Sequence, residues 1–278
     1  TRDGEEVKVE QISHIRQEMN LWTGVLSSQF AVDGMLVKVK TACHPMSDII
    51  GVKVTSTLLQ ENRLQVFIRF PAPDMAHAEW SKAIFPDWAH DERHGTQLLS
   101  ATSTSVVLRR KMDEDGYTVK WVWNSGELKQ TGKHEYTLFP NQSSSTLDFT
   151  VSFAPQDPAT AQAEEVLRES ETYWPSFWMN GAAVDFSRSE DERSSELERR
   201  VILSQYLCAI HSGGSLPPQE TGLMYNSWFG KIHLEMHWWH AAHFPMWGRP
   251  EILLKSMDWY RSILPKAREL ARSQGYFG

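Results

Sequence analysis

Tyr225-Asn-Ser-Trp-Phe-Gly-Lys-Ile-His-Leu-Glu-Met-His-Trp-Trp-His-Ala-Ala-His-Phe-Pro-Met-Trp247 carries four histidines, four tryptophans and one carboxylate. An ordinary core helix sets Leu, Ile, Val and Ala against a charged face. Trp and His are costly space-fillers, because their ring N–H groups need partners when buried. On a helix starting near Gly230, His233, His237 and His240 share one face at i, i+4, i+7 spacing. Leu234, Trp238 and Ala241 form the neighbouring face. Glu235, Trp239 and Ala242 form a third, with Trp238 close by. Such a helix is apolar or aromatic all round, which predicts burial. Buried imidazoles and a carboxylate need a cavity beside them, because unpaired buried charge is expensive. Aromatic walls with a few hydrogen-bonding groups suit a sugar ring. The candidate substrate-binding residues are Trp228, His233, Glu235, Trp238, Trp239 and His240. The plain alternative is that these histidines are satisfied core residues.

Working outward, the chain has 278 residues and a formal net charge of −7. That length allows one large domain or two moderate ones. The acidic balance and the lack of a basic run argue against nucleic acid. No apolar run is long enough to span a bilayer, so no membrane partner is expected. The chain begins at Thr1, which predicts a processed or trimmed N-terminus. Cys43 and Cys208 form neither a CxxC pair nor a disulfide framework, so both are expected as free thiols.

Residues 1–155 read as β. The Asp33-Gly34 pair, between Leu21–Phe30 and Leu36–Ala42, is a strong hairpin signal. Further strands are predicted at Ile50–Leu58, Leu64–Phe70, Ser105–Arg110, Thr118–Trp123 and Ser145–Phe153, with turns at Asp115-Gly116 and Ser125-Gly126. Many strands without an intervening long helix predict an antiparallel β-sandwich. The stretch Pro71–Gly95, holding His77, Trp80, Trp88, His90 and His94, is longer than a hairpin loop. It reads either as a functional loop or as a surface insertion packed on its own aromatics.

After Pro155 the pattern becomes helical. Asp157-Pro158 opens a helix through Tyr173, and Trp174-Pro175 breaks it. A second helix begins at Ser189 or Asp191 and runs through Ile210. One more starts at Arg249-Pro250, and a further one at Leu264-Pro265. The division predicted is a β-sandwich domain at 1–155, a helical linker at 156–212 and an all-helical part at 213–278.

This order of parts, with Pro-Pro-Gln-Glu-Thr-Gly-Leu followed by Tyr-Asn-Ser-Trp-Phe-Gly-Lys-Ile-His-Leu-Glu-Met, resembles the six-hairpin, or (α/α)6-barrel, glycosidases. Its nearest likeness is to glycoside hydrolase family 65, whose Tyr-x-Gly-x-x-Phe-Trp-Asp-x-Glu motif enters a barrel helix and binds the sugar being cleaved. Gly230 matches the Gly, Leu234 replaces the Trp, Glu235 stands where the Asp stands and His237 replaces the Glu. The resemblance covers the chain in architecture and residues 216–247 in motif. It implies a sister family that hydrolyses an oligosaccharide or glycoside with inversion and uses no cofactor. The general acid is then expected beyond Gly278, and a periplasmic or extracellular setting is favoured over the cytoplasm.

Two other readings compete. His233-Leu-Glu-Met-His237 resembles the HExxH spacing of zinc sites, which would make a metal-dependent hydrolase of His233, His237 and His240. However, Glu235 is one residue out of register and is expected to point away from both imidazoles. The other reading is a non-catalytic carbohydrate-binding protein. A second carboxylate facing Glu235 is the feature that separates an enzyme from it.

Overall fold

A computed structural model describes residues 5–72 and 86–277. They fall into two compact units, which divide at Ser176/Phe177. His77 and Trp80 lie outside the described residues.

The first unit is β-rich. Its strands are β1 (Ile12–Asn20), β2 (Val25–Val32), β3 (Met35–Cys43), β4 (Ile49–Thr55), β5 (Val66–Arg69), β6 (Gly95–Ala101), β7 (Ser105–Met112), β8 (Asp115–Trp123), β9 (Glu127–Gly132), β10 (Glu135–Phe139) and β11 (Thr146–Ala154). They form an eight-stranded sheet in the order β1-β2-β3-β4-β11-β8-β7-β6 and a three-stranded sheet in the order β5-β10-β9. Both sheets supply one apolar core. Val37, Val54, Leu108, Val119, Trp121 and Leu147 of the larger cluster with Tyr136 and Leu138 of the smaller. A large antiparallel sheet followed by helices is the expected order.

The Asp33-Gly34 hairpin forms as the sequence predicts. Both residues are left-handed (φ +50° and +78°), as a two-residue turn matching the strand twist requires. The second predicted turn is displaced. Met112 pairs with Asp115, so the loop is Asp113-Glu114, with Asp113 at φ +50°. Gly116 lies inside β8, where a Cβ would stand 2.6 Å from the Arg110 carbonyl. That glycine permits close strand approach and does not turn the chain. On β7 the inward positions are Val106, Leu108 and Arg110, so a guanidinium occupies a core position. An antiparallel bridge between Ala72 and Asp87 joins the two ends of the long segment before β6.

Helix α1 (Ala163–Met179) starts later than its Pro158 signal and runs through Pro175, correcting the predicted break. Val166 and Leu167 bury against Val25, Ala42 and Ile49. The carbonyl that Pro175 leaves without a donor is that of exposed Glu171, where water can serve it.

The second unit holds α2 (Ser194–Ser212), a short 3-10 turn at Trp228–Gly230, α3 (Leu234–Ala241), α4 (His243–Met246) and α5 (Pro250–Ser273). Pro265 does not start a new helix; α5 continues through it, again over an exposed residue, Arg261. Among the described residues no helix is long and apolar enough to cross a membrane. Cys43 and Cys208 are free, and burial pushes both thiols up.

Candidate functional site

The loop before α3 is fastened by its own side chains. Gln219 Nε2 donates to the carbonyls of Gly222 (2.7 Å) and Tyr225 (3.0 Å), and its Oε1 accepts from Ser227 N (3.0 Å). The Thr221 hydroxyl lies 2.7 Å from the Tyr225 carbonyl and 2.9 Å from Ser227 Oγ. His233 N reaches the Pro218 carbonyl at 3.3 Å. Pro218, Gln219 and Thr221 thus each have a partner that sets the path of the chain. Trp228 and Phe229 then take left-handed backbone (φ +47° and +59°) just before Gly230 at +70°. Two bulky residues in that region are strained, and such strain concentrates at functional segments.

Helix α3 buries less than its composition predicts. His237 (5% exposed) and Ala241 (1%) face inward, whereas Trp238 (71%) and Trp239 (67%) are open. The expected all-round burial is therefore corrected. One face packs, and Leu234, Glu235, Trp238 and Trp239 occupy the other. Glu235 lies one turn from both tryptophans, so it shares their surface. Trp228 is half exposed.

The shared histidine face also fails, and the reason is local. His233 is the N-cap, with extended backbone (φ −109°, ψ 92°), and is out of helical phase with the other two. His237 ties α3 to α5. The Ser256 hydroxyl donates to the Leu253 carbonyl, so it accepts from His237 Nε2 (2.8 Å). Nδ1 then accepts from the Tyr260 hydroxyl (2.8 Å), over which the ring is stacked. Burial lowers the His237 pKa, with His240 adding to the effect. His240 Nε2 donates to the backbone carbonyl of Glu220 (2.8 Å). With both nitrogens of His237 engaged, His233, His237 and His240 are not a free ligand set.

Glu235 does not point away from His233, as its register predicted. Its Oε2 lies 4.0 Å from Nε2 of that ring, while Glu220 Oε2 lies 3.6 Å from Nδ1. One imidazole thus stands between two carboxylates. The sequence reading missed Glu220. Its signal was the Pro-Gln-Glu-Thr-Gly run, in which Pro218 and Gly222 mark a loop on either side of it.

Among the described residues, one group has metal-like spacing. Ligand atoms of Asp91, His94 and His134 lie within 4.8 Å of one another in the β unit. The Nδ1 lone pairs of both histidines are occupied. Arg110 Nη1 donates to the Gly95 carbonyl (2.8 Å) and to Thr96 Oγ1, and Nη2 donates to His94 Nδ1. The Thr96 hydroxyl donates to His134 Nδ1 (2.7 Å), and His134 Nε2 donates to the Asp91 carbonyl (2.8 Å). Metal-ligating histidines give their second N–H to an acceptor, whereas His94 faces a guanidinium there. We read the group as a buried polar tie.

The chain matches no family model and no curated protein.

Proposed function

We propose that the chain is the β-sandwich and first barrel helices of an (α/α)6-barrel glycosidase, similar to glycoside hydrolase family 65. It would hydrolyse an oligosaccharide or glycoside with inversion. The observation that carries this reading is Glu235 on the open face of α3, one turn from exposed Trp238 and Trp239. Flat aromatic surface takes the C–H face of a pyranose, and a carboxylate holds its hydroxyls. The strained turn at Trp228 and Phe229 adjoins the same residues. Glu220 supports the enzymatic version over a purely binding one, because glycoside cleavage needs two carboxyl groups. His233 and His240 serve the site differently in this reading. His233 lies between the carboxylates, and His240 braces the loop that carries Glu220.

Anomer-resolved NMR of the first-formed product from a panel of disaccharides tests the proposal. An inverted anomer is expected. A retained anomer refutes inversion, and sugar binding without product makes the protein a carbohydrate-binding one.

A further inference from the structure

We infer that Glu220 is a second sugar-facing carboxylate, and that with Glu235 it makes this surface select cationic and uncharged saccharides over anionic ones. The inference rests on the sugar-binding reading above and adds the charge class of the ligand.

Glu220 is presented by its loop. Gln219 and Thr221 on either side turn into the loop to fasten it. The backbone carbonyl of Glu220 is held by His240. Among the described residues, the contact its carboxylate makes is the one with His233, at 3.6 Å, just beyond hydrogen-bond length. His233 Nδ1 is itself shielded from solvent and without a hydrogen-bond partner. Glu235 faces the opposite nitrogen at 4.0 Å and is otherwise open. Both carboxylates therefore keep lone pairs for a ligand.

Along this stretch of chain, carboxylates outnumber fixed cations two to one. Residues 213–248 contain two carboxylates, Glu220 and Glu235, and one Lys or Arg, Lys231. The Lys231 ammonium lies 5.9 Å from the Phe229 ring. A sugar ammonium here gains carboxylate partners and aromatic faces that attract cations. A uronate or sulfate meets like charge at the groups that would otherwise hold its hydroxyls.

The test titrates the whole chain with a neutral methyl hexoside, a 2-amino-2-deoxy hexoside and a methyl uronide, followed by tryptophan fluorescence. The expected order of affinity is amino, then neutral, then uronide. Glu220→Gln keeps the shape and removes the charge. It should shift the amino sugar and the uronide in opposite directions by about fivefold each, the worth of one charge near 4 Å in a water-like medium, and so narrow the gap between them about 25-fold. Glu220→Asp should keep the order, and high salt should compress it in the unaltered protein. Equal weakening of all three sugars by Glu220→Gln would make Glu220 a loop scaffold and overturn the inference alone. So would a uronide that binds as tightly as the amino sugar. If no sugar binds the unaltered chain, the sugar reading falls and this inference falls with it.

Discussion

The Arg110 guanidinium donates to Nδ1 of His94 at a point where both side chains are buried. Arginine only donates, so the neutral imidazole must carry its proton on Nε2. Protonating Nδ1 would set two cations in contact. Burial lowers the His94 pKa to about 4, with Arg110, His134 and Lys133 adding to the effect and Asp91 opposing it. An unfolded histidine titrates near 6.5. Between these values the unfolded chain binds more protons, so stability falls as pH drops through that window. Urea midpoints at pH 7.5, 5.5 and 4.5 should decline more steeply for the unaltered protein than for His94→Gln. Parallel slopes would remove His94 as the cause.

Gly116 supplies a backbone prediction. Its absent Cβ leaves room for the Arg110 carbonyl, 2.6 Å from where that atom would stand. Backbone on a core strand does not yield readily. Gly116→Ala should cost about 1–3 kcal/mol, the range for overpacked sites, measured by denaturant unfolding. Gly34→Ala meets no atom within 4 Å but keeps a left-handed φ of +78°. It should cost about 1 kcal/mol for conformation alone.

His237 and His240 are both one-helix histidines, yet their loss should differ in kind. His237→Ala strands the Tyr260 and Ser256 hydroxyls and should destabilise the helical unit by about 2–3 kcal/mol. Once folded, such a variant should retain sugar affinity within about threefold, because His237 faces away from the open surface. His240→Ala frees the Glu220 carbonyl. It should weaken affinity at least tenfold with a smaller loss of stability. The ratio of the two effects in each variant is the measurement. Equal ratios would mean that His240 does not position Glu220.

Much of this was legible in the residues. Val106, Leu108 and their alternation predicted β7, and Asp33-Gly34 fixed a hairpin register. Strands β1, β6, β9 and β10 were not foreseen. The exposed, polar positions of β1 and β9, such as Arg16, Lys129 and Gln130, give no period-two signal, and β10 is five residues long with three consecutive buried positions, so it does not alternate either. Pro175 and Pro265 misled because both lie where a lost hydrogen bond faces water. At the candidate site, Glu235, Trp238 and Trp239 were singled out by their unusual chemistry, and they share the open face of α3. His233 was found for the wrong geometry, since helical spacing cannot tell an N-cap from a helical residue. Glu220 was missed because its meeting with His233 depends on how the Pro218–Ser227 loop folds back.

Glu235 should bind sugar hydroxyls and not donate the proton. It is exposed on α3 beside two stacking surfaces and lies 4.0 Å from an imidazole. Charge-assisted bonds to hydroxyls are worth about 1.5–3 kcal/mol each, so losing two should lower kcat/KM on the order of 10²–10⁴. Glu235→Gln keeps the shape and part of the bonding, so activity should fall without vanishing. A proton donor behaves otherwise. An aryl glycoside with an acidic leaving group needs little protonation and would escape the defect. Glu235→Gln is therefore assayed on a natural glycoside and on such an aryl glycoside. Equal losses on both assign binding to Glu235. Full rescue on the aryl substrate would instead make Glu235 the acid and leave the hydroxyls to Glu220 and His233.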